Sequence, residues 1–378
     1  VIKAIALLQQ IALGRFPIGD FDPFKLVKPI KLVSKIEIEF KTDGRYFAYG
    51  VEFSANGIRE EWLYEINARS DKKIFTRKTD SDGNQFEFGD IHGDNSVGQF
   101  VKFLGEGTPA KRSFLAEYIE RNGKGLCPIK VAYQWFATGL RIIFPGTRFR
   151  GLSFNAEQDE KFHESTHRLL QYFNTGIVDV RRFPVQSKEE TNLPDRLLEK
   201  IISTATPGRT ALIAAPESNE CFFFDFKEDG TYTIFKQKAV HRNDSNDEVV
   251  FEMDEESDGS IRLLDFIPML IDLSQSESDY MIDELDRSMH PLLSQKLIEC
   301  YLQQLSTERD TQLIISTHEC NLLNLDLIRA DEVWFVEKDK DGASKLVSLA
   351  EYKPRENVQK GYLQGRYGAI PTFGKLNK

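Results

Sequence analysis

The sequence predicts an α/β fold: a parallel βαβ core in the C-terminal part, an antiparallel β-lobe near the N-terminus, and a mostly helical insertion between them. Three observations carry this expectation. Residues 252–340 alternate helical and short apolar strand patterns, the order of parallel βαβ units. Residues 35–77 read as strands joined by turn signals. Residues 81–210 give up the period of two for helical stretches with Gly- and Asp-rich loops between them.

Taken in order, Val1–Gly14 is an apolar helix pattern closed by a Gly stop. It has no N-cap residue and no turn before it. The first four N–H groups of a helix want partners, so residues are expected to be missing before Val1. A loop with Pro17, Gly19 and Pro23 follows. Residues 35–40 alternate polar and apolar, Asp43-Gly44 is a hairpin turn signal, and Tyr46–Phe53 is the returning strand. Ile58–Ile66 and Lys73–Arg77 extend the meander, giving a first unit over 1–80. The expected helices of a second unit, 81–210, are Ser113–Arg121, Ile129–Ile143, Gln158–Phe173 and Pro194–Ala205. A third unit, 211–378, opens with strands at Thr210–Ala215, Cys221–Phe226 and Thr231–Ala239, with Asp229-Gly230 as a turn.

At 378 residues, 40% hydrophobic and 29% charged, the chain is long enough for two or three packed domains. No run of about 18 apolar residues spans a membrane, and no secretory signal is visible. Cys127, Cys221, Cys300 and Cys320 lack paired spacing and read as reduced thiols of a cytoplasmic protein. The formal net charge of -10 excludes nucleic-acid binding by bulk charge and leaves only a local basic face open to it.

The chemistry concentrates late in the chain. Tyr280-Met281-Ile282-Asp283-Glu284 is a short apolar strand ending in two carboxylates, the Walker B arrangement of P-loop NTPases. Such strand ends face the ligand crevice of open α/β sheets. The first carboxylate then holds Mg²⁺ with waters in its shell, and the second polarises the attacking water. An isolated run of this kind also fits a strand leading into an acidic loop. The next element decides between them. Met289–Leu305 is an amphipathic helix leading to Thr311–His318, a second strand with a polar tip. One right-handed crossover would set His318 beside Glu284. Upstream, Ser257 and Gly259 open a helix, where backbone N–H groups attract anions.

The order of signature, acidic strand tip, Asp286–His290 turn and His-tipped strand resembles ABC and SMC-like ATPase heads. The segments Glu256-Ser257-Asp258-Gly259, Asp283–Pro291, Ser316-Thr317-His318-Glu319 and Lys360–Pro371 resemble one branch more closely. It comprises the AAA-type ATPases of the abortive-infection, anti-phage kind, related to the overcoming-lysogenization-defect ATPases. The resemblance implies ATP and Mg²⁺ as ligands, with Asp283 on the metal, Glu284 on the water and His318 on the γ-phosphate. It implies that Ser257, Asp258 and Gly259 act in trans, with Asp286 and Ser288 in the D-loop, so the partner is a second copy or a larger homo-oligomer. It further implies a separate effector, a nuclease, and a DNA or phage component as a further partner. Val1–Leu13 resembles the helix after the Gly-Lys-Ser/Thr-Asn of that branch, which puts the phosphate loop among the missing residues. No G-x-x-x-x-G-K-[ST] occurs in the chain; Gly107–Ser113 and Gly123-Lys124 both fail the pattern. The Gln-loop residue also has no counterpart: Gln9 and Gln10 lie on the first helix, and Phe21-Asp22-Pro23-Phe24 contains none.

Two other readings compete. A structural DNA-binding head of SMC or repair type would carry long heptads, which the middle region lacks. His163-Glu164-Ser165-Thr166-His167 matches the H-E-x-x-H of zinc peptidases, with both His on one helix face. No third His or Met-turn follows, and Glu189 or Glu190 would have to serve from a loop. The motif is therefore read as a solvent-facing helix side. The basic residues Arg141, Arg148, Arg150, Arg181 and Arg182 lie near aromatics and are read as a solvated, acid-paired rim rather than a nucleic-acid face.

Overall fold

The structure, a computed structural model, describes residues 1–15, 23–26, 33–186, 188–191, 193–214, 218–354 and 357–371, with backbone alone at 188 and 189. Helix α1 spans Ile2–Ala12 and ends as expected at Gly14, whose φ of 66° is left-handed. The loop with Pro17 and Gly19, and residues Phe21 and Asp22 of the Gln-loop candidate, lie outside the described residues.

Five antiparallel strands follow in sequential order: β1 (Ser34–Thr42), β2 (Arg45–Ser54), β3 (Gly57–Ile66), β4 (Lys72–Asp80) and β5 (Gly83–Phe88). Asp43 and Gly44 both take positive φ, 52° and 67°, between the paired Thr42 and Arg45. That is the type I′ turn whose twist suits a two-residue hairpin. One face of the meander buries Phe47, Tyr49, Val51 and Phe75 against α1 and against α2 (Asn95–Gly107), α3 (Phe114–Glu120) and α4 (Cys127–Gln134).

The stretch expected as one helix, Ile129–Ile143, is a correction. The α-helix ends at Gln134, a π turn covers Trp135–Gly139, and Leu140–Ile143 is strand β6 of the parallel sheet. Four residues are too few to show a period of two, and the run reads as a continuation of the apolar helix face. Gln9 fixes the switch: its Nε2 donates to Phe136 O (2.8 Å) and Leu140 O (2.9 Å). Trp135 stacks on Phe40 at 4.0 Å and donates through Nε1 to Asp279 Oδ2 at 2.8 Å.

Beyond β6 lie α5 (Leu152–Gln158), α6 (Glu160–Phe173), β7 (Asp179–Pro184), α7 (Asp195–Ser203), β8 (Thr210–Ala214), β9 (Cys221–Phe226), β10 (Tyr232–Arg242) and β11 (Glu248–Glu252). Strand β7 was not legible in the sequence; it pairs with β10 in the second antiparallel sheet, ordered β11-β10-β9-β8. Helix α8 (Asp258–Asp272) is apolar almost all round and is buried accordingly. Then come β12 (Asp279–Ile282), α9 (Pro291–Gln304) and β13 (Gln312–Ile315), forming the parallel sheet β13-β12-β6. The expected βαβ crossover is present. The next strand, β14 (Trp334–Lys338), is not part of that sheet. It forms an antiparallel hairpin with β15 (Ser344–Ser348), with Phe335 stacked between Tyr362 of α10 (Val358–Leu363) and Tyr367. No helix among the described residues is long and apolar enough to cross a membrane.

Candidate active site

The three parallel strands end together at Ile143, Ile282 and Ile315. Their tips are joined by hydrogen bonds that continue the ladder. Asp283 N donates to Ile143 O (2.9 Å), Ser316 N to Ile282 O (2.9 Å) and Leu285 N to Ser316 O (3.0 Å). The Ser316 hydroxyl donates to Asp283 Oδ1 (2.7 Å) and accepts from Glu284 N (3.0 Å). The acidic tip and the His-bearing tip are thus immediate neighbours.

Glu284 takes φ 51°, a left-handed backbone that a non-glycine residue holds at a cost of order 1 kcal/mol. The turn lifts its side chain out of the sheet edge. The carboxylate is 45% exposed, and its closest cation is Arg287 Nη1 at 3.9 Å. Asp286 points back at the second tip, where its Oδ1 accepts from Thr317 Oγ1 (2.6 Å) and from His318 N (3.2 Å). These bonds fix the backbone at His318 and leave the residue itself exposed. Ser288, at φ 62°, closes the turn, and His290 caps α9 ahead of Pro291. A polar strand tip, a strained turn and a capped helix therefore present Glu284 and His318 on one edge.

The start of α8 lies against the same turn. Ser257 Oγ accepts from Ser260 N (3.1 Å), and Asp258 sits exposed in the first turn, where its charge suits the helix dipole. Gly259 faces the backbone of Ser288: a Cβ there would stand 2.9 Å from Ser288 O. Only glycine permits that approach without displacing the turn. Glu256, the residue before the cap, meets His241 Nε2 at 2.5 Å.

Periodicity and motifs missed Arg262 and Asp265, the two buried charges of α8 that hold the loop after β6. Arg262 Nη1 donates to Phe144 O (3.3 Å) and Thr147 O (3.4 Å). Asp265 accepts from Phe149 N (2.7 Å) and from Arg148 Nη1 (3.1 Å). Burial pushes the Asp265 carboxyl up to about 6, against the pull of Phe149 N and Arg148. The available signal was a pair of opposite charges three residues apart inside an otherwise apolar helix, Ile261–Ile267.

Asp283 supplies one half-buried carboxylate, steadied through Oδ1, with the Ser316 hydroxyl beside it. No group of three His, Cys, Asp or Glu gathers to cage an ion among the described residues. Hard oxygen donors in such small number suit Mg²⁺, which keeps waters and takes phosphate oxygens as further ligands. At the H-E-x-x-H stretch, His163 and His167 line a shallow groove with Glu164 and Arg168, and His163 Nε2 stands 3.7 Å from Asp179 Oδ1. Glu190 is exposed, and the Glu189 side chain lies outside the described residues. Four of the five basic residues have partners: Arg148 has Asp265, Arg150 has Ser218 O and Glu220 O, Arg181 has Asp179 and Glu248, and Arg182 has Glu157 and Asp225, while Arg141 is exposed.

No curated protein matches the chain in sequence. Among solved structures, it resembles an SMC head bound to the C-terminal winged-helix domain of ScpA, at 14% identity and a TM-score of 0.40, over 93% of this chain and 88% of that one. It also resembles the SMC head domain from Thermotoga maritima (10%, TM-score 0.30, 81% and 74%). A third is the Pyrococcus furiosus SMC head with an extended coiled coil and the C-terminal domain of ScpA (12%, TM-score 0.33, 96% and 90%). Superposition this loose transfers no residue roles. Residues 142–326 match the sequence model of the family described as "AAA domain, putative AbiEii toxin, Type IV TA system". The match spans just under half of the chain and contains every residue of the tip cluster, so this segment is read as a nucleotide-binding ATPase domain of the AAA/ABC type.

Proposed function

We propose that the full-length protein hydrolyses ATP between two copies of itself, and that the closing of this dimer controls a separate effector, a nuclease, in an anti-phage abortive-infection system. The observation that carries the enzymatic part is the hydrogen-bonded junction of the two strand tips at Asp283 and Ser316, with the half-buried Glu284 and the exposed His318 beside it. In this reading Asp283 holds Mg²⁺, which when bound neutralises phosphate charge. Glu284 accepts a hydrogen bond from the attacking water, and His318 donates to the γ-phosphate. Ser257, Asp258 and Gly259 meet the nucleotide of the partner copy, with the α8 N-terminus as anion donor. Asp286 and Ser288 couple the signature to the tips, since Gly259 packs on Ser288 and Asp286 binds Thr317. The chain has no Gly-Lys-Ser/Thr run of its own, so these roles concern the γ-phosphate end of the nucleotide. The defence role rests on the resemblance of the motifs and on the description of the matched family.

Glu284→Gln tests the chemistry in the protein as encoded. Turnover is expected to fall on the order of a hundredfold or more, with ATP binding kept and an ATP-dependent dimer accumulating in light scattering. Undiminished turnover would remove Glu284 from the mechanism. The defence role is checked by phage plating on cells carrying the protein with its neighbouring reading frame; equal plating with wild type and Glu284→Gln would sink it.

A further inference from the structure

The guanidinium of Arg262 is the least satisfied cation of the crevice. The residue is 2% exposed, and Nε and Nη2 have no hydrogen-bond partner. Nη1 alone bonds, at long range, to Phe144 O and Thr147 O. Its nearest carboxylate, Asp265 at 3.9 Å, is engaged by Arg148 at 3.1 Å. The Phe266 ring lies 4.5 Å below it, which suits a cation and gives the remaining N–H groups no acceptor. A buried cation with unmatched donors is costly, and each such group in a native fold calls for an explanation.

The position of Arg262 supplies one. It binds the carbonyl of Phe144, the residue after Ile143, whose own carbonyl receives Asp283 N. The guanidinium thus sits under the β6–β12 tips, one residue from the turn that carries Glu284. That glutamate is a carboxylate whose ion pair, with Arg287 Nη1 at 3.9 Å, is long and solvent-exposed, and it stands on a left-handed backbone. Burial disfavours the charged form of Arg262; Asp265 favours it, Arg148 and Arg287 oppose it, and Glu284 adds the smallest favourable contribution.

We infer that Arg262 is the positioning residue for Glu284: in the nucleotide-bound dimer one Glu284 carboxylate oxygen docks on the unpaired Nε and Nη2, and the other faces the attacking water. The Nε–H and Nη2–H of a guanidinium point the same way and can both be accepted by one carboxylate oxygen, with charge assistance. Docking converts two poorly matched groups into one oriented pair. It also links turnover to the loop after β6, because the same guanidinium holds Phe144 and Thr147. The inference rests on the reading of Glu284 as the group that orients water.

The test uses Arg262→Met, Arg262→Lys, Glu284→Gln and the double variants, in the protein as encoded. Arg262→Met is expected to lower kcat on the order of a hundredfold, the usual consequence of a misplaced catalytic group. It should leave the KM for ATP, the melting shift given by a non-hydrolysable ATP analogue and the melting temperature of the free protein near wild type. Arg262→Lys keeps the charge without the fork and should recover part of kcat. In the Glu284→Gln background, Arg262→Met should add no further loss. Unchanged kcat in Arg262→Met, or a multiplicative loss in the double variant, overturns the inference while leaving Glu284 in place. A fall in melting temperature with kcat per folded molecule unchanged reduces Arg262 to a packing role and overturns it too. Should Arg262→Met not fold, Arg262→Lys with and without Glu284→Gln gives the same cycle. Wild-type turnover in Glu284→Gln would defeat the underlying reading instead.

Discussion

Two arginines among the described residues are buried almost completely, and they are opposites. Arg77, in the N-terminal lobe, is 1% exposed and has every nitrogen engaged. Nε donates to Thr79 Oγ1 and Asn84 Oδ1, Nη1 to Arg112 O, and Nη2 to Pro109 O. Glu61 faces it at 3.6 Å, and that carboxylate accepts from Phe114 N, Leu115 N and the Tyr49 hydroxyl. Arg262, beside the crevice, is buried to the same degree with two nitrogens idle. Desolvation works against the charged form of both. The difference lies in what compensates it. The lobe closes its polar network inside one subunit, as structure requires. The crevice leaves its network open toward the edge where the strand tips meet. The largest effect should expose this contrast. Arg77→Met leaves Glu61 buried without its cation and is expected to cost about 3–5 kcal/mol in urea unfolding. Arg262→Met removes a cation with few partners and should be neutral or mildly stabilising. Equal losses at the two sites would erase the distinction.

A smaller effect tests the acid on the crevice side. Asp265 faces Arg148 Nη1 at 3.1 Å, Arg262 Nη1 at 3.9 Å and Phe149 N at 2.7 Å, and burial still holds its carboxyl near 6, above the ordinary 3.8. A pKa raised by folding means that the group's contribution to stability is complete below about pH 3.8 and is lost as pH rises through about 6. The free energy of unfolding should therefore fall between about pH 4 and pH 6 by on the order of 1–3 kcal/mol more in wild type than in Asp265→Asn. Parallel pH profiles for the two proteins would show that folding leaves the Asp265 carboxyl at its ordinary value.

How much of this contrast could be read from the sequence follows from the length scale of each signal. Four strands of the meander were legible because they are nine or ten residues long and Asp43-Gly44 marks the first turn; β5, six residues long, falls in the stretch read as helical. The site was legible in its residue types: Asp283, Glu284 and His318 each stand at the end of an apolar run, and the crossover through α9 brings those ends together. Strand β6 was not, because four residues following an apolar helix face carry no period of their own. Strand β7 shows only as Arg181 and Arg182, whose partners Glu248, Glu157 and Asp225 are distant in sequence. The roles of Arg262 and Asp265 depend on the loop at 144–149, which reaches α8 only in the folded chain.

The smallest expected effect on stability separates glycines by what they face. In the lobe, a Cβ at Gly50 would meet the Trp62 ring at 2.3 Å, a large side chain paired through Nε1 to Glu37. At the crevice, a Cβ at Gly259 would meet Ser288 O at 2.9 Å, on an exposed turn. Gly259 lies within a helix, where alanine is favoured over glycine by about 1 kcal/mol. That gain opposes the clash, and the turn at Ser288 can yield by a few tenths of an ångström. Gly259→Ala is therefore expected to change unfolding free energy by less than about 1 kcal/mol, while Gly50→Ala costs about 1–3 kcal/mol through overpacking. The order reverses for assembly. Displacing Ser288 disturbs the turn that presents Glu284 and the helix start that meets the partner copy, so Gly259→Ala should weaken the ATP-dependent dimer seen in light scattering and Gly50→Ala should not. A Gly259→Ala protein that dimerises and turns over like wild type would mean that the close approach serves packing within one subunit, as it does in the lobe.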